Sequence, residues 1–109
     1  MGGYVRAYGK KLVDEEGNEL LLRGMGLGNW LLPEGYMWCL PNEADRPRRI
    51  ERLVRDLIGE EGAAEFWTRY YDRFVTEADI ASIAADGLNS IRLPINSRYI
   101  LSASGPGLL

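Results

Sequence analysis

The sequence predicts an α/β fold in which two parallel strands are joined by a helical crossover and preceded by a hairpin. Three observations predict it. Leu20-Leu21-Leu22 runs without alternation, as a strand covered on both faces does, and glycines at 24, 26 and 28 exclude a continuing helix. Between residues 47 and 87, apolar side chains recur at helical spacing. Leu88 to Leu93 then forms a second strand-like run that ends at Pro94.

Each element follows from its residues. Tyr4 to Tyr8 and Lys11 to Val13 are short strand-like runs, and Glu15-Glu16-Gly17-Asn18 is a turn cluster, so residues 4–18 read as a β-hairpin. Residues 24–46 form a long irregular segment rich in aromatics and proline. Connections of that length are uncommon in compact domains and are usually functional. The first helix is expected to start at Pro47, with Asp45 as its cap, and to end at Gly59. Ile50, Leu53, Val54, Leu57 and Ile58 supply its apolar stripe. Phe66, Tyr70 and Phe74 repeat every four residues in a second helix and read as core. Thr76-Glu77-Ala78-Asp79 opens a third, which buries Ile80, Ile83 and Ala84 and closes at Gly87.

Two parallel strands with one crossover do not close a sheet, so further strands are expected on either side. Residues 102–109 are loop-like and add no closing element. Residues 20–94 thus read as the first βαβ unit of a larger α/β domain, and residues 1–109 as part of that domain, with no second one.

Composition narrows the chemistry. The chain has 109 residues, 46% of them hydrophobic and 27% charged, an ordinary globular balance. Thirteen Lys and Arg against sixteen Asp and Glu give a net charge of -3, which offers no footprint for nucleic acid. There is no histidine, which removes Ser-His-Asp and Cys-His catalysis and His-ligated zinc from these residues. Cys39 has no partner for a disulfide and no histidine to activate it, and reads as inert. No cofactor is expected. No stretch has the apolar length of a membrane span, and the N-terminus lacks the apolar core of a signal peptide. As written the chain reads as cytoplasmic, with export open for a longer parent.

Candidate site residues fall in two places. On the second strand, Ile91 and Leu93 share one face while Ser90 and Arg92 share the other. Arg92 sits at the strand's C-terminal end, where α/β folds place ligands, and can hold a carboxylate by a bidentate pair. A solvent-facing arginine on an edge strand is the competing interpretation. In the loop, Trp30, Tyr36 and Trp38 accompany Asn29 and Glu34. Aromatic faces stack on sugar C–H faces, and amides and carboxylates bind hydroxyls, although a loop packed by its own aromatics has the same composition. Gly24-Met25-Gly26-Leu27-Gly28-Asn29 is no dinucleotide fingerprint, because Asn29 takes the last glycine's place and Trp30-Leu31-Leu32-Pro33 opens no helix. Close packing of the strand end explains those glycines better. Arg46, Arg48, Arg49, Arg52 and Arg55 are offset by nearby acids and form a solvated face.

Leu22 to Met37, with Arg23-Gly24-Met25-Gly26-Leu27-Gly28-Asn29-Trp30-Leu31-Leu32-Pro33-Glu34-Gly35-Tyr36 within it, resembles the first-strand motif of glycoside hydrolase family 5, the cellulase family. Asp86-Gly87-Leu88-Asn89-Ser90-Ile91-Arg92-Leu93-Pro94-Ile95 resembles its second-strand motif, and Phe74 to Ile80 the entry to the preceding helix. The resemblance spans most of residues 12–98. It implies the N-terminal portion of a TIM (β/α)8 barrel, with residues 4–18 as the hairpin that plugs its N-terminal end. It also implies hydrolysis of β-linked glycans with retention, by two carboxylates roughly 5–5.5 Å apart.

In the family both carboxylates are glutamates, at the ends of the fourth and seventh strands, aided by histidines and a tyrosine elsewhere. Neither is assigned to these residues. By the resemblance, Arg92 matches the arginine that supports the nucleophile, and Asn29, Trp30 and Glu34 lie where the first loop lines the cleft. With Tyr36 and Trp38 they form the expected substrate-binding set. A barrel needs about 250 residues, so the chain is expected to be inactive without the remainder of the barrel. Two alternatives stay open: a non-catalytic carbohydrate-binding module using the 29–38 loop, and a subunit that completes its sheet with a partner chain.

Overall fold

A computed structural model describes residues 3–99 and 101. The hairpin forms as expected. Strands β1 (Arg6–Tyr8) and β2 (Lys11–Val13) pair antiparallel with Ala7 opposite Leu12. Gly9 makes the tight turn in the left-handed region (φ 61°), which a residue without Cβ enters at little cost. A second turn follows, in which the Asn18 amide donates to Asp14 Oδ1 at 2.8 Å. It brings Glu19 beside Val13, and the Leu20 amide bonds the Leu12 carbonyl at 2.8 Å.

That contact moves the first parallel strand. Leu20 continues the hairpin, and strand β3 is Gly24–Gly26 rather than Leu20–Leu22. Leu21 and Leu22 are 71% and 50% exposed, so the leucine run is not covered on either side by these residues. β3 pairs parallel with β4 (Ser90–Arg92), placing Gly24 beside Ser90, Met25 beside Ile91 and Gly26 beside Arg92. A Cβ on Gly24 would lie 2.8 Å from the Ser90 carbonyl oxygen, so close packing accounts for this glycine. The Asn89 side chain locks the entry, accepting from the Arg23 amide at 2.8 Å and donating to the Leu21 carbonyl at 3.0 Å.

Helix α1 (Pro47–Arg73) is continuous except at Gly59, whose φ of 79° and ψ of 174° break it where the first helix was expected to end. The two halves fold back on one another. In an unbroken helix Glu51 and Tyr71 would stand about 30 Å apart, yet both touch Tyr99. Pro47 opens the helix as expected, but Asp45 is not its cap. Arg46 takes the cap position without a side-chain bond, and the Asp45 carboxylate binds Arg46 Nη2 at 2.7 Å and Arg49 Nη1 at 3.1 Å instead. Lying one residue early, Asp45 meets two guanidinium groups before it meets the helix amides. They hold its carboxyl at about 2, below the ordinary carboxylate value. Its depressed pKa stabilises the fold above the unfolded value near 3.8 and ceases to as pH falls from there to about 2. Carboxyl chemical shifts should therefore show Asp45 titrating near 2, and the Arg46→Ala change should return it toward 3.8.

Ile50 is fully buried, but Leu57 and Ile58 at the end of the same stripe are 73% and 52% exposed. The arginines of this face are exposed and paired to Asp45, Asp56 and Glu60 or solvated, as expected of a surface face. Helix α2 (Glu77–Ala85) opens with Thr76 Oγ1 accepting from the Asp79 amide while Asp79 Oδ2 accepts from the Thr76 amide. Gly87 takes the left-handed conformation (φ 85°) after the helix. Ile80 and Ile83 are half-buried and Ala84 is exposed, because no side chain among the described residues fills the outer side of the groove between α2 and β4, about 370 Å³.

The buried apolar residues among those described are Val13, Ala44, Ile50 and Ala63, and Pro33 is fully buried as well. The accessible surface is 8511 Å², against about 6,100 Å² for a compact monomer of this mass. The radius of gyration is 18.0 Å, against about 13 Å for a compact chain of this length. Met25, Ile91, Leu93 and Ile95 on the sheet remain 39–44% exposed. The faces of this sheet are left partly uncovered by the described residues. No helix among the described residues is long and apolar enough to cross a membrane.

A second glycine, like Gly24, is held by sterics. Gly35 is buried against the 3-10 turn Asn42–Ala44, where a Cβ would come 2.9 Å from the Ala44 carbonyl carbon and from Asp45 Cα. Gly35→Ala should destabilise the fold by about 1–3 kcal/mol by overpacking against backbone, measured as the denaturation midpoint with an unchanged denaturant slope.

Candidate functional site

β3 and β4 run parallel, so the loops that leave their C-terminal ends emerge on one edge of the sheet. The first loop starts at Leu27, whose amide donates to the Arg92 carbonyl at 2.9 Å. Leu31 bridges to Ile95, and the Asn96 amide donates to the Leu31 carbonyl at 3.0 Å. Arg92 and the aromatic loop, singled out separately in the sequence, therefore share this edge. Arg92 is exposed and forms no ion pair among the described residues.

The loop residues divide by what they touch. Asn29 is 5% exposed and sits at φ 65°, a conformation asparagine tolerates better than most residues. Its Oδ1 accepts from the Glu34 amide at 2.8 Å, and its carbonyl accepts from the Tyr70 hydroxyl. Asn29 thus holds the loop's shape. Trp30 donates its indole Nε1–H to the Tyr71 carbonyl at 2.9 Å. Trp38 is half-buried, 5.3 Å from Tyr70, 5.9 Å from Trp67 and 6.3 Å from Phe66. Tyr36 is 74% exposed and joins no aromatic pair among the described residues. Glu34 is half-buried with its carboxylate outside any ion pair among the described residues. Cys39 is exposed at φ 56°, on the loop rather than in a core.

The second half of α1 is the platform for the loop. Phe66, Tyr70 and Phe74 stack along it, with Tyr70 and Phe74 4.8 Å apart, but they do not form the expected core: Phe66 and Tyr70 are half-buried and Phe74 is 46% exposed. Burial pushes the Tyr70 phenol up to about 12, so it stays neutral and donates to Asn29 at any physiological pH. Sequence reasoning placed Tyr70 in the core but missed that its hydroxyl anchors the loop. Asn96, Arg98 and Tyr99, after the second strand, were not singled out either: Asn96 bonds the Leu31 carbonyl, Arg98 and Tyr99 reach Glu51, and Tyr99 packs on Tyr71. Their signal was available: Asn96, Arg98 and Tyr99 lie within five residues of Pro94, past a strand's C-terminal end.

The chain is homologous to glycoside hydrolases. It is 36% identical to a β-xylosidase of Phanerodontia chrysosporium over 106 residues, 97% of this chain and 22% of the relative. A probable glucan 1,3-β-glucosidase A of Emericella nidulans is 38% identical over 77 residues, 68% of this chain and 18% of the relative. Glucan 1,3-β-glucosidase 1 of Schizosaccharomyces pombe is 32% identical over 80 residues, 68% of this chain and 19% of the relative. The chain thus spans about a fifth of the length of the curated relatives it matches. No family model matches it, and no solved structure does.

Proposed function

We propose that these residues are the opening hairpin and first βαβ unit of a family 5-like (β/α)8 barrel that hydrolyses β-linked glucans or xylans with retention. The observation that carries the reading is the shared edge: Arg92 and the Asn29–Trp38 loop meet at the C-terminal ends of two parallel strands, where barrel enzymes build their sites. The glycosidase relatives, matched over most of this chain, support the same reading. The unfilled faces of the sheet and the excess surface suit a unit whose neighbouring strands come from the rest of a barrel.

In this reading the chain prepares the site while the acid/base and the nucleophile come from residues beyond it. The nucleophile attacks the anomeric carbon as the acid protonates the departing glycosidic oxygen, and water then cleaves the glycosyl-enzyme ester. Arg92 donates hydrogen bonds to the nucleophile carboxylate and keeps it ionised. Tyr36 stacks on a sugar ring and Glu34 accepts from its hydroxyls. Asn29, Trp30 and Trp38 hold those two in place. A free-standing sugar-binding module is less well supported, because Trp30 and Trp38 spend their faces and indole donor on α1.

The test is hydrolysis of aryl β-glucoside, aryl β-xyloside and a β-1,3-glucan by the whole polypeptide that carries these residues, with proton NMR of the first-formed anomer. A β-anomer product is expected. An α-anomer product would overturn retention, and no turnover of any of the three would overturn the hydrolase reading.

A further inference from the structure

We propose that Glu51, Arg98 and Tyr99 form a clasp that positions the loop after β4 at the substrate edge, a role that deepens the glycosidase reading and rests on it. Glu51 Oε1 accepts from Arg98 Nη2 at 2.8 Å and from the Tyr99 hydroxyl at 3.2 Å. The two groups of the ion pair stand 47 residues apart in sequence and are only 24% and 36% exposed. The other ion pairs among the described residues are near neighbours in sequence and more exposed. Exposed local pairs contribute little, whereas a sheltered pair that closes a long loop restrains the chain.

The clasp joins three segments. Tyr99 sets its ring edge-on to Tyr71 at 5.5 Å, and the Tyr71 carbonyl in turn holds the Trp30 indole of the first loop. Asn96 Oδ1 accepts from the Arg98 amide at 3.1 Å, and the Asn96 amide reaches the Leu31 carbonyl. The first loop, the fold-back of α1 and the segment directly after Arg92 are therefore tied at one point. Glu51 lies in the first turns of α1, away from Arg92 itself, so its influence on hydrolysis runs through loop position. Burial, reinforced by Tyr71 and Glu51, pushes the Tyr99 phenol well up, which keeps its donor proton in place across the working pH range.

The experiment compares the whole polypeptide with its Glu51→Gln and Tyr99→Phe variants and with the exchanged pair Glu51→Arg/Arg98→Glu. Two readouts are taken: amide hydrogen exchange of residues 95–99, and KM and kcat on an aryl β-glycoside. Glu51→Gln should speed exchange at 95–99 about tenfold and raise KM severalfold with kcat nearly unchanged. Tyr99→Phe, the milder change, should do the same to a smaller extent, and the exchanged pair should recover part of both. Unchanged exchange overturns the clasp. Faster exchange with KM unchanged overturns its positioning role and leaves a purely structural one. Absence of hydrolysis in the unaltered polypeptide defeats the glycosidase reading and this positioning role with it, while the exchange rates still decide whether the clasp exists.

Discussion

Arg92→Ala should lower kcat/KM of the whole polypeptide on aryl β-glycosides about 100-fold or more, the scale of losing one preorganised donor at a developing charge. Arg92 ends β4 beside Gly26, exposed and outside any ion pair among the described residues, so its guanidinium is available to a carboxylate brought in by a neighbouring strand. Removing that positive charge raises the pKa of the carboxylate it faces, so the acid limb of the pH–rate profile should move to higher pH. Arg92→Lys should recover only part of the rate, because a point charge replaces a planar fork. Melting temperature should barely move, since Arg92 packs against little. A rate within a factor of three of the unaltered protein, with an unmoved acid limb, would show that Arg92 supports no nucleophile.

Trp38→Ala should be the most damaging single change to the fold. The indole sits within 5.3–6.3 Å of Tyr70, Trp67 and Phe66, and its loss strips the contact that seats the first loop on α1. Truncating a buried aromatic costs about 3–5 kcal/mol, and half-burial places Trp38 toward the lower end. Chemical denaturation measures it. Tyr36→Ala makes the contrast, with a stability change of about 0.5 kcal/mol or less as for other surface substitutions, but with weakened oligosaccharide binding. If the two variants exchanged behaviours, Trp38 would be the sugar platform and Tyr36 the anchor.

How much of this was legible in the residues depended on whether the signal was local. The Thr76–Asp79 cap, the Pro47 start, the Gly59 break and the Gly87 stop were all readable, because each rests on one residue's backbone preference or one short-range hydrogen bond. The parallel pairing of the two strands followed from their separation by helices. The position of the first strand did not, because it depends on where Ser90 tolerates a neighbour without Cβ and on the Leu20–Leu12 bond that recruits Leu20 into the hairpin. Asp45 was misplaced for a similar reason: a cap can be read from composition, but two competing guanidinium groups cannot.

In the candidate site the residue types were legible in the sequence, but the contacts that each residue makes were not. Arg92, Glu34 and Tyr36 stand exposed or half-buried at or near the edge, whereas Asn29, Trp30 and Trp38 bond or pack within the loop and against α1. The fold-back of α1 made that difference, since it brings Tyr70 and Tyr71 against the loop and Glu51 against Tyr99. No periodicity in the sequence announces a reversal at a glycine that could equally have ended one helix and begun an unrelated one.

Under the proposed function, these residues prepare a glycosidase edge whose catalytic carboxylates lie on other strands. Its most direct test is a side-by-side assay of the 109-residue chain and the whole polypeptide on aryl β-glucoside and aryl β-xyloside. Turnover by the whole polypeptide alone is expected. Hydrolysis by the 109-residue chain itself would contradict it, because the acid and the nucleophile would then have to be found among the carboxylates already described.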